Sequence, residues 1–465
     1  MCPTRTQSPL LPIELDLSAA FSFEQGFGRA QWLQLGPQLE QARAAVLEAV
    51  AAEAETGLNH VRPQHILADY HRQRKSSLLG QILTLAKRLR ETVDSVVILG
   101  PPQRTTAAHA LLAACAHPYH NSLSRGQRGG RPRIFFAPAV PDNDALQALL
   151  EILPHGRSLH TIDQRWGLLA IDEHGGANAD ETGQNGSQLL AGLFSFLWDA
   201  LQTTTTAVEE TQLAAVVGPS PSPLLSLAKQ IGLPTIVWEG TACIAPGPTN
   251  GRGFVIPTSD FFHPGVLLAG SVMGIDIVKL LHGAAAMWRR FAAAPPGDNP
   301  PLNLAGLRHL LAARRKISDG IKSCIIDPSI MALAPLAEQI EPSSLLTLHP
   351  SPFTPHPSPL TPHHSLLIQW LPQSSRSDRL CIKMADGGDL ADRKKCKARL
   401  LIDLIAQHAA AVRTARSLAG QFTAVINLPL VDEGTVGQLI ELHDIACALE
   451  HYLPSQNTTP SKLND

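Results

Sequence analysis

Arg104, Thr105 and Thr106 follow one another directly behind the turn Gly100-Pro101-Pro102-Gln103. A guanidinium, two hydroxyls and the start of a helix can together hold an anion, because the guanidinium offers paired N–H groups and the helix end adds its dipole. The turn itself opposes that chemistry. Pro101 and Pro102 each lack an N–H, and their rings prevent the close backbone approach that glycine allows. Downstream lies a second group, Asp172-Glu173-His174-Gly175-Gly176-Ala177. Its two carboxylates repel an anion: at about 4 Å, like unit charges cost roughly 1 kcal/mol in bulk water and about 4 at a protein-like dielectric. A third group is the histidine pair His363-His364, a residue type whose charge changes near neutral pH and which serves acid–base chemistry.

The elements that must carry these groups read as an alternation of strand and helix. Strands are expected at Val96–Leu99, Ile134–Phe136, Leu168–Ile171, Leu213–Val217 and Pro234–Trp238, with helices at 105–116, 142–153, 188–201 and 223–231 between them. Short β-branched strands alternating with helices specify a parallel sheet covered on both faces, with ligands at the strands' carboxyl ends. Ahead of this come helices over 38–55 and 76–93. After an irregular connection over 253–270 and a helical stretch over 273–287, a second α/β set follows. It comprises a helix over 304–315, a strand over 321–327, a helix over 330–339, a strand over 366–371, a long helix over 390–419 and a strand over 423–428. Residues 349–362 repeat a seven-residue unit, His-Pro-Ser-Pro-Phe-Thr-Pro then His-Pro-Ser-Pro-Leu-Thr-Pro, whose prolines specify an extended loop. The expected fold class is α/β: two doubly wound parallel-sheet domains with N-terminal helices and a C-terminal tail. The boundaries fall at 1–93, 94–262, 263–435 and 436–465.

With 465 residues, 44% of them apolar and 17% charged, the chain can bury a large core. A net charge of −2 supplies no field for nucleic acid or an anionic membrane, and no run of about 18 apolar residues is present. The first residues, Met1-Cys2-Pro3-Thr4-Arg5-Thr6, lack an apolar signal core, so a cytoplasmic protein is expected. The seven cysteines are scattered without C-x-x-C or zinc-ligand spacing, so no metal and no cofactor is expected.

Several stretches resemble the phosphoglucose isomerase family, in particular its bacterial forms. The run Pro118-Tyr119-His120-Asn121-Ser122-Leu123-Ser124-Arg125, continuing through Arg128-Gly129-Gly130 to Arg133-Ile134, is similar to the family's wording after its first strand. Gly274-Ile275-Asp276 and Leu428-Pro429 to Gln438 add to the likeness, which reaches patchily from about Arg62 to Glu450. The resemblance implies two sugar-isomerase-type (SIS) domains, interconversion of glucose 6-phosphate and fructose 6-phosphate, and a homodimer whose partner molecule is a sugar phosphate.

It also implies where each catalytic group would lie. The phosphate turns, roughly G-I-G-G-S and S-K-[ST]-G-G-T in the family, correspond here to Gly100–Arg104 and to Asp172–Ala177. Arg104, Thr105, Thr106, Gly175 and Gly176 are therefore the candidate phosphate contacts, with Gln438 a further substrate-side candidate. His364, in Thr361-Pro362-His363-His364-Ser365, takes the place of the ring-opening histidine. Arg252, in Asn250-Gly251-Arg252-Gly253-Phe254, is the nearest match to the enediolate-binding arginine, although counting back from Gly274-Ile275-Asp276 places that run nearer 256–260. The proton-moving glutamate falls at Leu346-Thr347, where no carboxylate stands; Glu338 and Glu341 lie nearby. The family's closing lysine motif is not matched by the ending Ser461-Lys462-Leu463-Asn464-Asp465.

Two readings of the phosphate turns stay open. Either Arg104 pairs with Asp172 or Glu173, so that an ion pair fills the space of a phosphate, or both ends are solvated loop residues that never meet. The implied activity is correspondingly reduced or lost, and the alternative is a non-catalytic binding or assembly partner on the same scaffold.

Overall fold

The computed structural model describes residues 10–21, 27–55, 62–137, 142–154, 161–173, 181–203, 213–238, 245–246, 253–254, 259–313, 324–327, 330–340, 366–374, 380–384 and 397–453. The chain divides into two compact units, Ala49–His282, and Met1–Glu48 with Gly283–Asp465.

A short strand, β1 (Glu14–Asp16), opens the chain's regular structure and belongs to the sheet of the second of these units. The unit Ala49–His282 is built on a five-stranded parallel sheet: β2 (Ser95–Leu99), β3 (Arg133–Phe136), β4 (Trp166–Ile171), β5 (Ala214–Pro219) and β6 (Thr235–Trp238). β2, β4 and β5 are buried along their whole length, and each reads as a continuous apolar run. Such runs follow when helices cover both faces, leaving no solvated side to alternate with. The order is β3-β2-β4-β5-β6, with Val96 opposite Ile134 and Gly167, and Val216 opposite Ala170 and Thr235. The order reverses at β2, so the connection after β2 and the one after β4 leave on opposite sides of the sheet and open a crevice between their carboxyl ends.

The helix after β2 spans Pro102–Cys115 and so begins three residues earlier than expected. Pro102 occupies its first position, where the missing N–H is one the helix leaves unpaired anyway and the fixed φ is already helical. The expected irregular connection also proves partly regular: a one-turn 3-10 helix Asp260–Phe262 leads into a wholly buried helix Pro264–Met273. That helix packs on the helices Leu78–Thr92 and Pro102–Cys115. It therefore belongs with the first sheet, and the first unit runs past the expected boundary at 262. Gly274, with φ of 84°, ends it in the left-handed region that glycine enters without strain.

A two-residue ribbon pairs β7 (Ala245–Pro246) with β8 (Gly253–Phe254). The other unit carries β9 (Cys324–Asp327) and β10 (Leu366–Pro372), a small hairpin of β11 (Cys381–Met384) and β12 (Lys397–Leu400), and β13 (Phe422–Leu428). Its sheet has the order β1-β13-β10-β9, parallel except for β1, which runs antiparallel at the edge. β1 leaves no sign in the sequence, since three residues carry too little periodicity. β12 also takes the place of the expected start of the long helix, which spans Leu401–Leu418. The final helix, Glu433–Tyr452, is buried on nearly all sides, capped by Asp432 accepting from the Thr435 N–H at 2.9 Å.

Candidate functional site

The groups singled out around Arg104 meet at the carboxyl end of the five-stranded sheet. β2 ends at Leu99, and the first turn of the following helix lifts Arg104 over the edge. β4 ends at Ile171 and delivers Asp172 and Glu173 beside it. The Arg104 Nε donates to Glu173 Oε2 at 2.5 Å, and Nη1 donates to Asp260 Oδ1 at 2.5 Å. One of the two pairings left open by the sequence is therefore made, with Glu173. Asp172 has turned away: it is fully buried, its N–H donates to the Val217 carbonyl at 2.8 Å, and its Oδ2 accepts from Ser187 Oγ at 3.0 Å.

Asp260 is the residue that sequence reasoning missed. It lies at the end of the stretch, 256–260, where counting back from Gly274-Ile275-Asp276 places the family's arginine run. The third position of that run, where the resemblance puts its arginine, is Thr258, which lies outside the described residues. The side chains of Arg104, Glu173 and Asp260 keep 18%, 23% and 32% of their exposure, so solvent still screens the group.

Behind the ion pairs stands His263, the N-cap of the helix Pro264–Met273, 4% exposed. Its Nδ1 accepts from the Gly265 N–H at 3.1 Å, so the proton of the neutral ring sits on Nε2. Gly265 can make this bond because it lies against Ile171, where a Cβ would come within 2.5 Å of Cγ2. The His263 ring meets Trp238, at the end of β6, edge to face with centroids 4.7 Å apart. Burial, with the nearby Arg104 charge adding to it, holds His263 well below the usual histidine range. The buried Nε2 of His263 and Nε1 of Trp238 have no hydrogen-bond partner among the described residues.

The hydroxyl candidates are otherwise engaged or exposed. Thr105 is buried, and its Oγ1 donates back to the carbonyls of Pro101 and Pro102 at 3.2 and 3.1 Å, a local bond within the helix's first turn. Thr106 is exposed. Gln438, in the other unit, joins the N-terminal segment to the last helix: its Oε1 accepts from the Ile13 N–H at 3.2 Å and its Nε2 donates to the Leu11 carbonyl at 2.9 Å. Its amide is committed to backbone. Glu338 is exposed on a seven-residue helix, Ala334–Ile340. His364, Arg252, Gly175, Gly176 and the repeat over 349–362 lie outside the described residues.

The unit Met1–Glu48 with Gly283–Asp465 holds a comparable polar group of its own. Arg308 Nη2 donates to His443 Nδ1 at 3.2 Å, and Nη1 lies 3.3 Å from Glu450 Oε1. His443 is buried and meets Trp370 edge to face at 5.7 Å. Burial, then the Arg308 charge, pushes this histidine well below its usual range too. Among the described residues no cluster of histidine, cysteine and carboxylate side chains is arranged to hold a metal ion. No helix among them is long and apolar enough to cross a membrane.

No protein-family model and no curated protein matches this chain. Solved structures do. A hypothetical protein from Thermus thermophilus is 18% identical with a TM-score of 0.62, the match covering 95% of this chain and 94% of that one. A glucose-6-phosphate isomerase from Chlamydia trachomatis is 12% identical with a TM-score of 0.53, covering 81% of this chain and 69% of that one. The likeness is one of fold. This chain has the α/β fold of the sugar-isomerase type: the strand and helix alternation specified the parallel sheets, and the family resemblance implied the type.

Proposed function

We propose that this chain is a divergent phosphosugar-isomerase-type protein in which interconversion of glucose 6-phosphate and fructose 6-phosphate is greatly reduced or lost, the scaffold serving instead as a binding or assembly partner. The observation that carries this reading is Arg104 held between Glu173 and Asp260. In the resemblance, those turns cradle a phosphate dianion. Here the single cation is already matched by two carboxylates, and an incoming dianion would add two negative charges beside them, each repelled by about 1 to 4 kcal/mol depending on the local dielectric. The prolines at 101 and 102 remove two backbone donors from the same turn. The lack of a carboxylate at 346–347 supports the same conclusion, since a base displaced by even an ångström loses much of its effect.

The test is a coupled isomerase assay on the purified full chain with fructose 6-phosphate, run beside His364→Ala. No turnover above background is expected from the wild type. Turnover that disappears in His364→Ala would overturn the reading. A second measurement opens the cradle: Glu173→Lys with Asp260→Ser should gain retention on immobilised sugar phosphate, and retention by the wild type equal to that of the double variant would count against the ion pairs as the obstacle.

A further inference from the structure

The opposite, amino-terminal end of the same sheet has the reverse charge pattern. Asp94, immediately before β2 and 3% exposed on its side chain, is approached by three arginines: Arg125 Nη1 at 3.1 Å and Arg128 Nη2 at 2.5 Å on Oδ1, and Arg133 Nη1 at 3.3 Å on Oδ2. Arg125 and Arg128 each place two further N–H groups on backbone carbonyls, of Val93 and Arg90 and of Arg131 and Leu123, so they are fixed parts of the loop. Two further arginines are not fixed in this way. The side chains of Arg90, half-buried, and Arg131, exposed, have no hydrogen bond or ion pair with any described residue. Glu91, whose charge acts on Arg90, faces Lys87 at 3.8 Å instead. Arg90 and Arg131 both flank the Asp94 group through their backbones: Arg125 Nη2 donates to the Arg90 carbonyl at 2.6 Å, and Arg128 Nε donates to the Arg131 carbonyl at 2.9 Å.

Arg90 and Arg131 feel each other: burial and then the like charge of Arg131 lower Arg90 from the ordinary arginine value. Helix ends account for part of this arrangement. Arg90 sits in the last turn of Leu78–Thr92, and Arg131 lies over Gly274 at the end of Pro264–Met273, so close that a Cβ on Gly274 would fall 2.2 Å from its Nε. A cation at a helix C-terminus is favourable. Yet the last carbonyls there, Gly270 and Ser271, already accept from Ile275 and Gly274, and neither arginine bonds to them. Two like charges that flank the Asp94 group beside helix C-terminal ends, neither bonded to an acceptor among the described residues, leave a place for an oxyanion. Arginine forks match phosphate oxygens, and a dianion best offsets the local excess of positive charge.

We infer that Arg90 and Arg131, backed by the Asp94-centred arginines, form a binding site for a phosphate group at the amino end of the first sheet, distinct from the closed cradle at its carboxyl end. A free phosphate and a phosphate ester share this chemistry. The site goes beyond the reading of the Arg104 region and does not depend on it.

The experiment is thermal unfolding of the full chain in phosphate-free, low-salt buffer, titrated with sodium phosphate, glycerol phosphate or tripolyphosphate at ionic strength matched by sodium chloride. The wild type should gain Tm saturably with phosphate beyond the chloride control; glycerol phosphate matching it would assign the ester as an equal ligand, and tripolyphosphate binding tighter would extend the site to polyphosphates. Arg131→Gln and Arg90→Gln should each have a higher Tm than wild type without phosphate, because a repulsion is relieved, and at least a tenfold weaker phosphate response. Arg104→Gln should respond as wild type does. The inference is overturned if phosphate stabilises no more than chloride, if Arg131→Gln lowers the phosphate-free Tm and leaves the response intact, or if Arg104→Gln abolishes the response.

Discussion

At one end of the first sheet a single arginine is held by two carboxylates; at the other, a single carboxylate is held by three arginines. Arg104, Glu173 and Asp260 each keep between 18% and 32% of their side-chain exposure, whereas Asp94 keeps 3% and Arg128 none. The difference separates two uses of charge. Exposed ion pairs are screened and contribute about 0 to 1 kcal/mol each, so the Arg104 group decides what can bind more than whether the unit folds. The Asp94 group is buried, and its carboxylate is the counter-charge that lets the loop before β3 close against β2. Removing one partner from such a group leaves charges stranded away from water.

The largest effect should come from Asp94→Asn. With three arginines deprived of their acceptor charge, the first unit should lose about 3 to 5 kcal/mol of stability, read by urea denaturation at pH 7. A loss below about 1 kcal/mol would remove the contrast between the two ends. The next effect concerns acid stability. His263 is held neutral in the folded protein, with its pKa below the unfolded value of about 6.5. The unfolded chain therefore binds a proton first as the pH drops. His263 costs no stability above about pH 6.5, and stability is lost as the pH falls from there toward the folded-state pKa, at up to about 1.4 kcal/mol per pH unit. His443 acts with the same sign in the other unit. His263→Gln should flatten this acid limb between about pH 6.5 and 5, while an unchanged slope would mean that the imidazole is reached by water or protonated in the fold.

Arg104→Gln should cost less at neutral pH, about 1 to 2 kcal/mol, because two screened pairs are lost and Glu173 is left near Asp260. An effect equal to that of Asp94→Asn would mean that both ends are structural in the same sense. Smallest of all, Thr106→Val should change stability by no more than about 0.5 kcal/mol, since the side chain is exposed. A larger loss would reveal a partner for the hydroxyl.

The five strands of the first sheet were legible because each is a short apolar run bounded by helix, and burial on both faces leaves that signature in the residues themselves. The second sheet was legible for the same reason at β9, β10 and β13. β1 was not, because a three-residue edge strand is specified by its partner β13 and by Gln438, which bonds Ile13 across 425 positions of sequence. The helix Pro264–Met273 was obscured by its position among phenylalanine, proline and glycine residues, where an all-apolar segment carries no helical stripe. Of the candidate site, the Arg104–Glu173 pairing could be posed from residue types but not chosen over Asp172. The choice depends on which way the chain turns at the end of β4, where Ser187 and Val217 claim Asp172.

The sequence by itself determined the strand and helix alternation, the two sheets it builds, and the loss of glycines and gain of carboxylates in the turns that the family resemblance assigns to a phosphate. Those are local properties, written in propensity, periodicity and residue type. Only the tertiary structure decided that Asp260 would join Glu173 on one guanidinium, that Asp172 would be buried, and that Arg90 and Arg131 would flank the Asp94 group without an ion pair to a described carboxylate. Each outcome depends on residues far apart in sequence, and Coulomb energy depends on distance in space, which no local pattern of residues encodes.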